Sequence, residues 1–163
     1  MATRCGALDS AVPFYLMREL GMQPTEVEHL LYERSGLLGV SGRSGDMRVL
    51  RRQAATDPNA AEAIALFAYR VTREIGALVA ILGGIDGLVF TAGIGENDAA
   101  LRADVLRTLA WLGFELDEEA NTGGGSLLTQ GHGPRAWHLA SLDLRTPDSS
   151  WLSKKPPNPP RWL

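Results

Sequence analysis

Between Asn59 and Leu82 the apolar residues Ile64, Phe67, Ala68, Val71, Ile75, Leu78, Val79 and Leu82 fall three or four positions apart. At that interval side chains share one face of an α-helix. This is the strongest periodic signal in the chain, and it predicts a long core helix over 59–82, stopped by Gly83-Gly84. Next comes Gly87-Leu-Val-Phe-Thr91, a compact run of β-forming residues, then Gly93-Ile-Gly-Glu-Asn97 as a glycine loop. Asp98 is placed to cap a further helix running to Leu112. Helix, strand, glycine turn and helix in that order call for an α/β layer rather than a bundle. One strand makes no sheet, so its partners are expected to be weakly marked elsewhere.

Upstream, Val12, Leu16 and Leu20 recur every four positions and predict a short helix closed by Gly21, with Pro13 tolerated near its start. Pro24 and Thr25 open a second helix that carries Val27, Leu30, Leu31 and Arg34 on helical spacing. The run from Ser35 to Gly45 is glycine-rich and reads as a loop. Asp46 then caps a short exposed helix over Met47 to Ala55, which ends at Thr56-Asp57-Pro58. Beyond Gly113 the order thins: Phe114 to Asn121 is short and acidic, Gly123 to Gly125 is a connector, and Gly131 to Pro134 breaks the chain. The core is expected to end there. A tail bearing Pro147, Pro156, Pro157, Pro159 and Pro160 beside Lys154 and Lys155 is expected to be disordered or extended.

A chain of 163 residues with 45% hydrophobic and 21% charged content can bury one sizeable core, so one domain is the default. A net charge of -3 with no basic block argues against nucleic acid as a partner. No apolar run approaches the length of a membrane span and the N-terminus lacks the order of a signal peptide, so no membrane partner is expected. A single cysteine, Cys5, forms no internal disulfide, which fits the reducing cytoplasm. Cys5 reads as a small packed side chain, and His29, His132 and His138 lack metal-ligand spacing, so no residue is assigned to a metal.

Three segments could carry chemistry. A strand feeding a glycine-rich turn that opens a helix is a seat for phosphate or nucleotide, because glycines let backbone amides approach the ligand. Gly93, Ile94, Gly95, Glu96 and Asn97 fit that description, although they form neither a Walker A sequence nor a dinucleotide fingerprint, and two glycines in such a turn can be purely steric. Ser41-Gly-Arg-Ser-Gly-Asp-Met-Arg48 joins hydroxyls, glycines and two arginines, which suits an anionic or polyol ligand, or equally a solvated loop before a capped helix. In Thr3-Arg4-Cys5-Gly6 an arginine beside a glycine can set a guanidinium against a phosphoryl group, or be a plain surface charge.

Met1-Ala-Thr-Arg-Cys-Gly6, Ser35-Gly-Leu-Leu-Gly-Val-Ser-Gly42, Asp46-Met-Arg48 and Phe90-Thr-Ala-Gly-Ile-Gly-Glu-Asn97 together resemble the acetate kinases, motif for motif and in the same order. Phe67-Ala-Tyr-Arg70, Leu82-Gly-Gly-Ile-Asp86 and Leu116-Asp117 leading to Asn121 extend the likeness, which runs from Met1 to about Trp137. The resemblance implies an α/β, helix-rich, partial ribonuclease-H-like domain of the actin-like ATPase, acetate and sugar kinase superfamily. Residues 1–137 would be an incomplete C-terminal nucleotide-binding domain, and 138–163 a divergent proline-rich tail. It also implies reversible transfer of the ATP γ-phosphoryl group to acetate, giving acetyl phosphate and ADP, with ATP/ADP and Mg2+ as cofactors and a homodimer in the full-length family. Such a transfer asks the protein for in-line positioning and for cations around the phosphoryl oxygens. By the same resemblance Arg4 is the catalytic arginine at the phosphoryl group, while Asp46, Met47 and Arg48, with Gly93, Ile94, Gly95, Glu96 and Asn97, contact the nucleotide. A butyrate or propionate kinase of the family is the near alternative, and a non-catalytic nucleotide-binding or interaction module the distant one.

The chain also departs from the family pattern. It has Ala2 where the family has glycine, Ala7 where aspartate is common and Ser10 where proline is. The family's first domain, with its metal-anchoring asparagine, substrate-side arginine, catalytic aspartate and histidines, would lie upstream of Met1. After Trp137 the sequence reads His-Leu-Ala-Ser-Leu-Asp-Leu-Arg145 in place of the family's Thr-Asp-Glu-Glu segment, whose glutamate helps to bind magnesium. These departures lead to the expectation of a truncated, frame-shifted product that lacks full activity alone.

Overall fold

In the computed structural model residues 2–139 are described, so the expected proline-rich tail beyond Leu139 lies outside the described residues. Eight α-helices and two strands follow in the order α1 Ala11–Arg18, α2 Pro24–Glu33, α3 Gly36–Ser41, α4 Met47–Gln53, α5 Pro58–Leu82, β1 Gly87–Phe90, α6 Ala92–Asn97, α7 Ala99–Thr108, α8 Glu118–Gly123 and β2 Arg135–His138 among the described residues. The class is α/β and helix-rich, as the sequence predicts. The chain divides into two compact units, Met1–Phe67 and from Ala68 onward, with the division falling inside α5.

In the first unit the predicted helices form where their end signals stand. The Asp9 carboxylate accepts from the Ala11 N–H at 2.7 Å, and Glu26 reaches back to the Gln23 N–H at 2.6 Å, closing a capping box around Pro24. The expected loop over 35–45 is a correction: Gly36–Ser41 is α3. Its first turn finds partners outside itself, the Ser35 N–H donating to the Thr3 carbonyl (2.8 Å) and the Leu38 N–H to the Ala2 carbonyl (3.0 Å), while Leu37 is buried. Gly39 is needed because a Cβ there would stand 2.8 Å from the Arg34 carbonyl oxygen, and Gly42, at φ +62°, ends the helix in the left-handed conformation. Glycine content therefore marked close packing and a cap rather than a loop. The α4 helix is also less exposed than its composition suggests, since Met47 and Leu50 are both buried.

In the second unit α5 ends at Gly83, φ +69°, and the Gly84 N–H caps the Val79 carbonyl at 3.0 Å. Its predicted face is only partly covered: Ile75 and Val79 are buried, while Leu78 is 44% and Leu82 38% exposed. The missing sheet partner is β2, parallel to β1 in the register Gly87↔Arg135 to Phe90↔His138. The core therefore does not end at Gly113. Phe114, Leu128 and Ala136 are buried, Asp117 caps α8 through the Ala120 N–H at 2.9 Å, and the Leu128 N–H donates to the Ala136 carbonyl at 2.8 Å. β2 was hidden because a strand of four residues directly after Pro134 carries too little alternation to be seen.

Candidate functional site

The segment Gly93–Asn97 leaves β1 through Ala92, which sits at φ +60°. A left-handed alanine is strained, and its position between the strand and the turn lets the chain reverse into α6. The expected glycine loop is thus a correction in conformation: Ala92–Asn97 is a short helical turn, and Asp98 ends it and caps α7 through the Leu101 N–H at 2.9 Å. Gly95 faces inward, where a Cβ would approach the Phe90 carbonyl carbon to 3.2 Å. Gly93 is open, with no atom outside its own turn within 4 Å of where its Cβ would be.

Four consecutive carbonyls of this turn are engaged. The Asn97 side-chain amide donates to Gly93 at 2.8 Å, and the Asp98 N–H donates to Ile94 at 2.9 Å. One guanidinium nitrogen, Arg102 Nη1, donates to Gly95 (2.8 Å) and Glu96 (2.7 Å). The other edge of that guanidinium grips Asn121, Nε to Oδ1 and Nη2 to the backbone oxygen, each at 2.8 Å. The Asn121 amide nitrogen in turn donates to the Ala99 carbonyl at 2.9 Å. Arg102 is 3% and Asn121 2% exposed, and burial lowers the arginine's pKa against the opposing pull of Asp98. Sequence reasoning missed Arg102 as a site residue. Its one signal was position, a charged residue flanked by the core residues Leu101 and Ala103 in α7.

The first unit holds the remaining predicted residues. The backbone on either side of Arg4 is fixed, Thr3 through the Ser35 N–H and Cys5 through its own N–H to the Leu31 carbonyl at 3.1 Å. The Arg4 side chain is exposed, with its guanidinium 5.6 Å from the centre of the Tyr32 ring, a cation–π distance. Asp46 and Arg48 pair with each other, and Asp46 also caps α4 by accepting from the Arg48 N–H at 2.9 Å. Between them Met47 is buried, so its side chain belongs to the core. The neighbouring Ser41 hydroxyl is likewise internal: it accepts from the Arg43 and Ser44 N–H groups at 3.2 Å and donates to the Ser44 carbonyl at 3.1 Å. A cleft of about 380 Å³ in this unit, lined by Arg43, Gln53, Thr56, Asp57 and Pro58, includes none of the predicted site residues, and Arg43 and Asp57 pair across it at 3.2 Å. Among the described residues no three His, Cys, Asp or Glu side chains stand close enough to cage a metal ion, and no helix is long and apolar enough to cross a membrane.

The profile of the acetokinase family matches residues 1–133. The acetate kinase of Rhodopseudomonas palustris is 51% identical over 142 residues, covering 85% of this chain and 35% of that protein. Two solved structures superpose with a TM-score of 0.80, each over 86% of this chain and 36% of the other: an acetate kinase from Porphyromonas gingivalis, 31% identical, and a propionate kinase from Francisella tularensis, 35% identical. The chain thus spans about a third of the length of the curated relatives it matches. The match takes in the Arg4, Asp46–Arg48 and Gly93–Asn97 segments together, and the chain belongs to the acetokinase family.

Proposed function

We propose that this chain provides the nucleotide side of an acetate kinase, in which the ATP γ-phosphoryl group passes reversibly to acetate to give acetyl phosphate and ADP. The observation that carries the reading is the turn Gly93–Asn97, hydrogen-bonded to Arg102 between β1 and α7 with Gly93 open, in a chain of the acetokinase family. In this reading the backbone of 93–97 and the Asp46–Arg48 edge contact the nucleotide. Exposed Arg4, with its backbone fixed at Thr3 and Cys5, brings a cation to the transferring group. The family's chemistry uses Mg2+, and the described residues include no group of three His, Cys, Asp or Glu side chains that could cage it. Homodimerisation and a cytoplasmic location belong to the same reading; exposed Leu78, Ile81 and Leu82, which share one face at the end of α5, suit contact with a further protein surface.

The test is a calorimetric titration of the purified chain with Mg-ADP, beside Gly95→Val. The branched side chain would press on Phe90, so binding by the wild type that the variant loses supports the reading. A wild-type chain that binds no Mg-ADP overturns it. A second reading, a kinase for propionate, is supported by the 35% identical propionate kinase structure. Hydroxamate assays with acetate, propionate and butyrate, in the presence of the remaining portion of an acetokinase chain, separate the two.

A further inference from the structure

Among the described residues Arg102 is the one charged side chain that is buried. Taking a guanidinium out of water is unfavourable, and an apolar residue of similar volume could fill the space between α6, α7 and α8 without that penalty. The structure uses the arginine for its geometry instead. Its planar fork reaches two carbonyls of the turn with one nitrogen and Asn121 with the other two. Those two carbonyls lie in the last turn of α6, where a helix has no partners of its own to offer, and a helix of six residues is not stable by itself. The conformation of Gly93–Asn97 therefore depends on what holds its carbonyls from outside, and Arg102 holds two of the four. Each of the four carbonyls from Gly93 to Glu96 thus accepts a hydrogen bond.

We propose that Arg102, seated on Asn121, is a positioning residue for nucleotide binding: by locking the Gly95 and Glu96 carbonyls it fixes the shape of the turn that meets the nucleotide. This rests on the reading of Gly93–Asn97 as the nucleotide segment. Arg102 itself touches no ligand. Asn121 acts one step further back, presenting both an amide and a backbone oxygen to the same guanidinium and anchoring itself to Ala99.

The experiment compares the full chain with Arg102→Lys and Asn121→Ala, using Mg-ADP calorimetry together with amide hydrogen exchange in the absence of ligand. Lysine keeps the charge and loses the fork, so affinity is expected to fall about tenfold, the equivalent of one charged hydrogen bond. Exchange is expected to quicken at residues 93–98 while β1 and the body of α7 keep their protection. A role in general stability would instead raise exchange throughout the unit. Should Arg102→Lys fail to fold, Asn121→Ala leaves the arginine in place, removes its side-chain seat and gives the same local readout. Wild-type affinity in both variants, or exchange that rises evenly across β1, α6 and α7, overturns the proposal. A wild-type chain that takes up no Mg-ADP overturns the nucleotide reading itself. Exchange at 93–98 then decides the clamp: protection lost only in the variants keeps it, and unchanged protection ends it.

Discussion

Asp46 and Arg48 form a two-pronged ion pair across a single intervening residue, Nε to Oδ1 at 3.1 Å and Nη2 to Oδ2 at 2.7 Å. The Arg48 side chain, and then its backbone N–H, bring the Asp46 carboxyl from 3.8 down to about 2. A carboxyl held below its unfolded value stabilises the folded state above that value, and the contribution disappears as pH falls through the folded one. Thermal melts of wild type and Asp46→Asn are therefore expected to differ at neutral pH and to converge between about pH 4 and pH 2. Both groups are solvent-accessible, so the neutral-pH gap should narrow in high salt.

Ala92 holds the left-handed conformation at φ +60° where β1 turns into α6. For an L-residue this conformation is unfavourable by about 1–2 kcal/mol, whereas glycine adopts it freely at an entropic penalty of roughly 0.5–1 kcal/mol. Ala92→Gly is expected to be stabilising by about 0.5 kcal/mol on that balance, and Ala92→Val destabilising by at least ~1 kcal/mol. Urea titrations followed by circular dichroism measure both.

The parts of this fold that could be read from sequence are those whose signal is local. The long helix α5, the strand β1 and the caps at Asp46 and Asp98 each announce themselves within a few residues. What escaped needs partners distant in sequence. β2 becomes a strand only by pairing with residues 48 positions earlier, Gly87 with Arg135, and α3 becomes a helix because Ala2 and Thr3 accept its leading N–H groups. The candidate site divides in the same way. Gly93–Asn97 was visible as a strand-to-helix turn, but its conformation is set by Arg102 and Asn121, whose hydrogen bond spans 19 positions. Even the periodic face of α5 overstated its burial, because spacing shows which residues share a face and not what covers it.

Leu128 is wholly buried beside the parallel strand pair, its N–H bonded to Ala136. It lies in the region where composition suggested that the core had ended. Leu128→Ala is expected to destabilise the protein by about 2–5 kcal/mol, as a full core truncation does. An effect near zero in chemical denaturation would mean that the region beyond Gly113 is not core.

Ser41 separates a structural from a ligand-binding use of the Ser41–Arg48 segment. Its hydroxyl is buried and takes the N–H groups of Arg43 and Ser44, so the turn that leads into Asp46 winds around it. Removing that oxygen leaves two donors without their acceptor, and an unmet buried hydrogen-bonding group is unfavourable by about 1–3 kcal/mol. Ser41→Ala is thus expected to lower the unfolding free energy by that amount. Calorimetry at a temperature where the variant remains folded should then give the wild-type affinity for Mg-ADP. Lost affinity in a variant of undiminished stability would instead assign the hydroxyl to the ligand, and would place the polar contacts of the segment at Ser41 rather than at the Asp46–Arg48 edge.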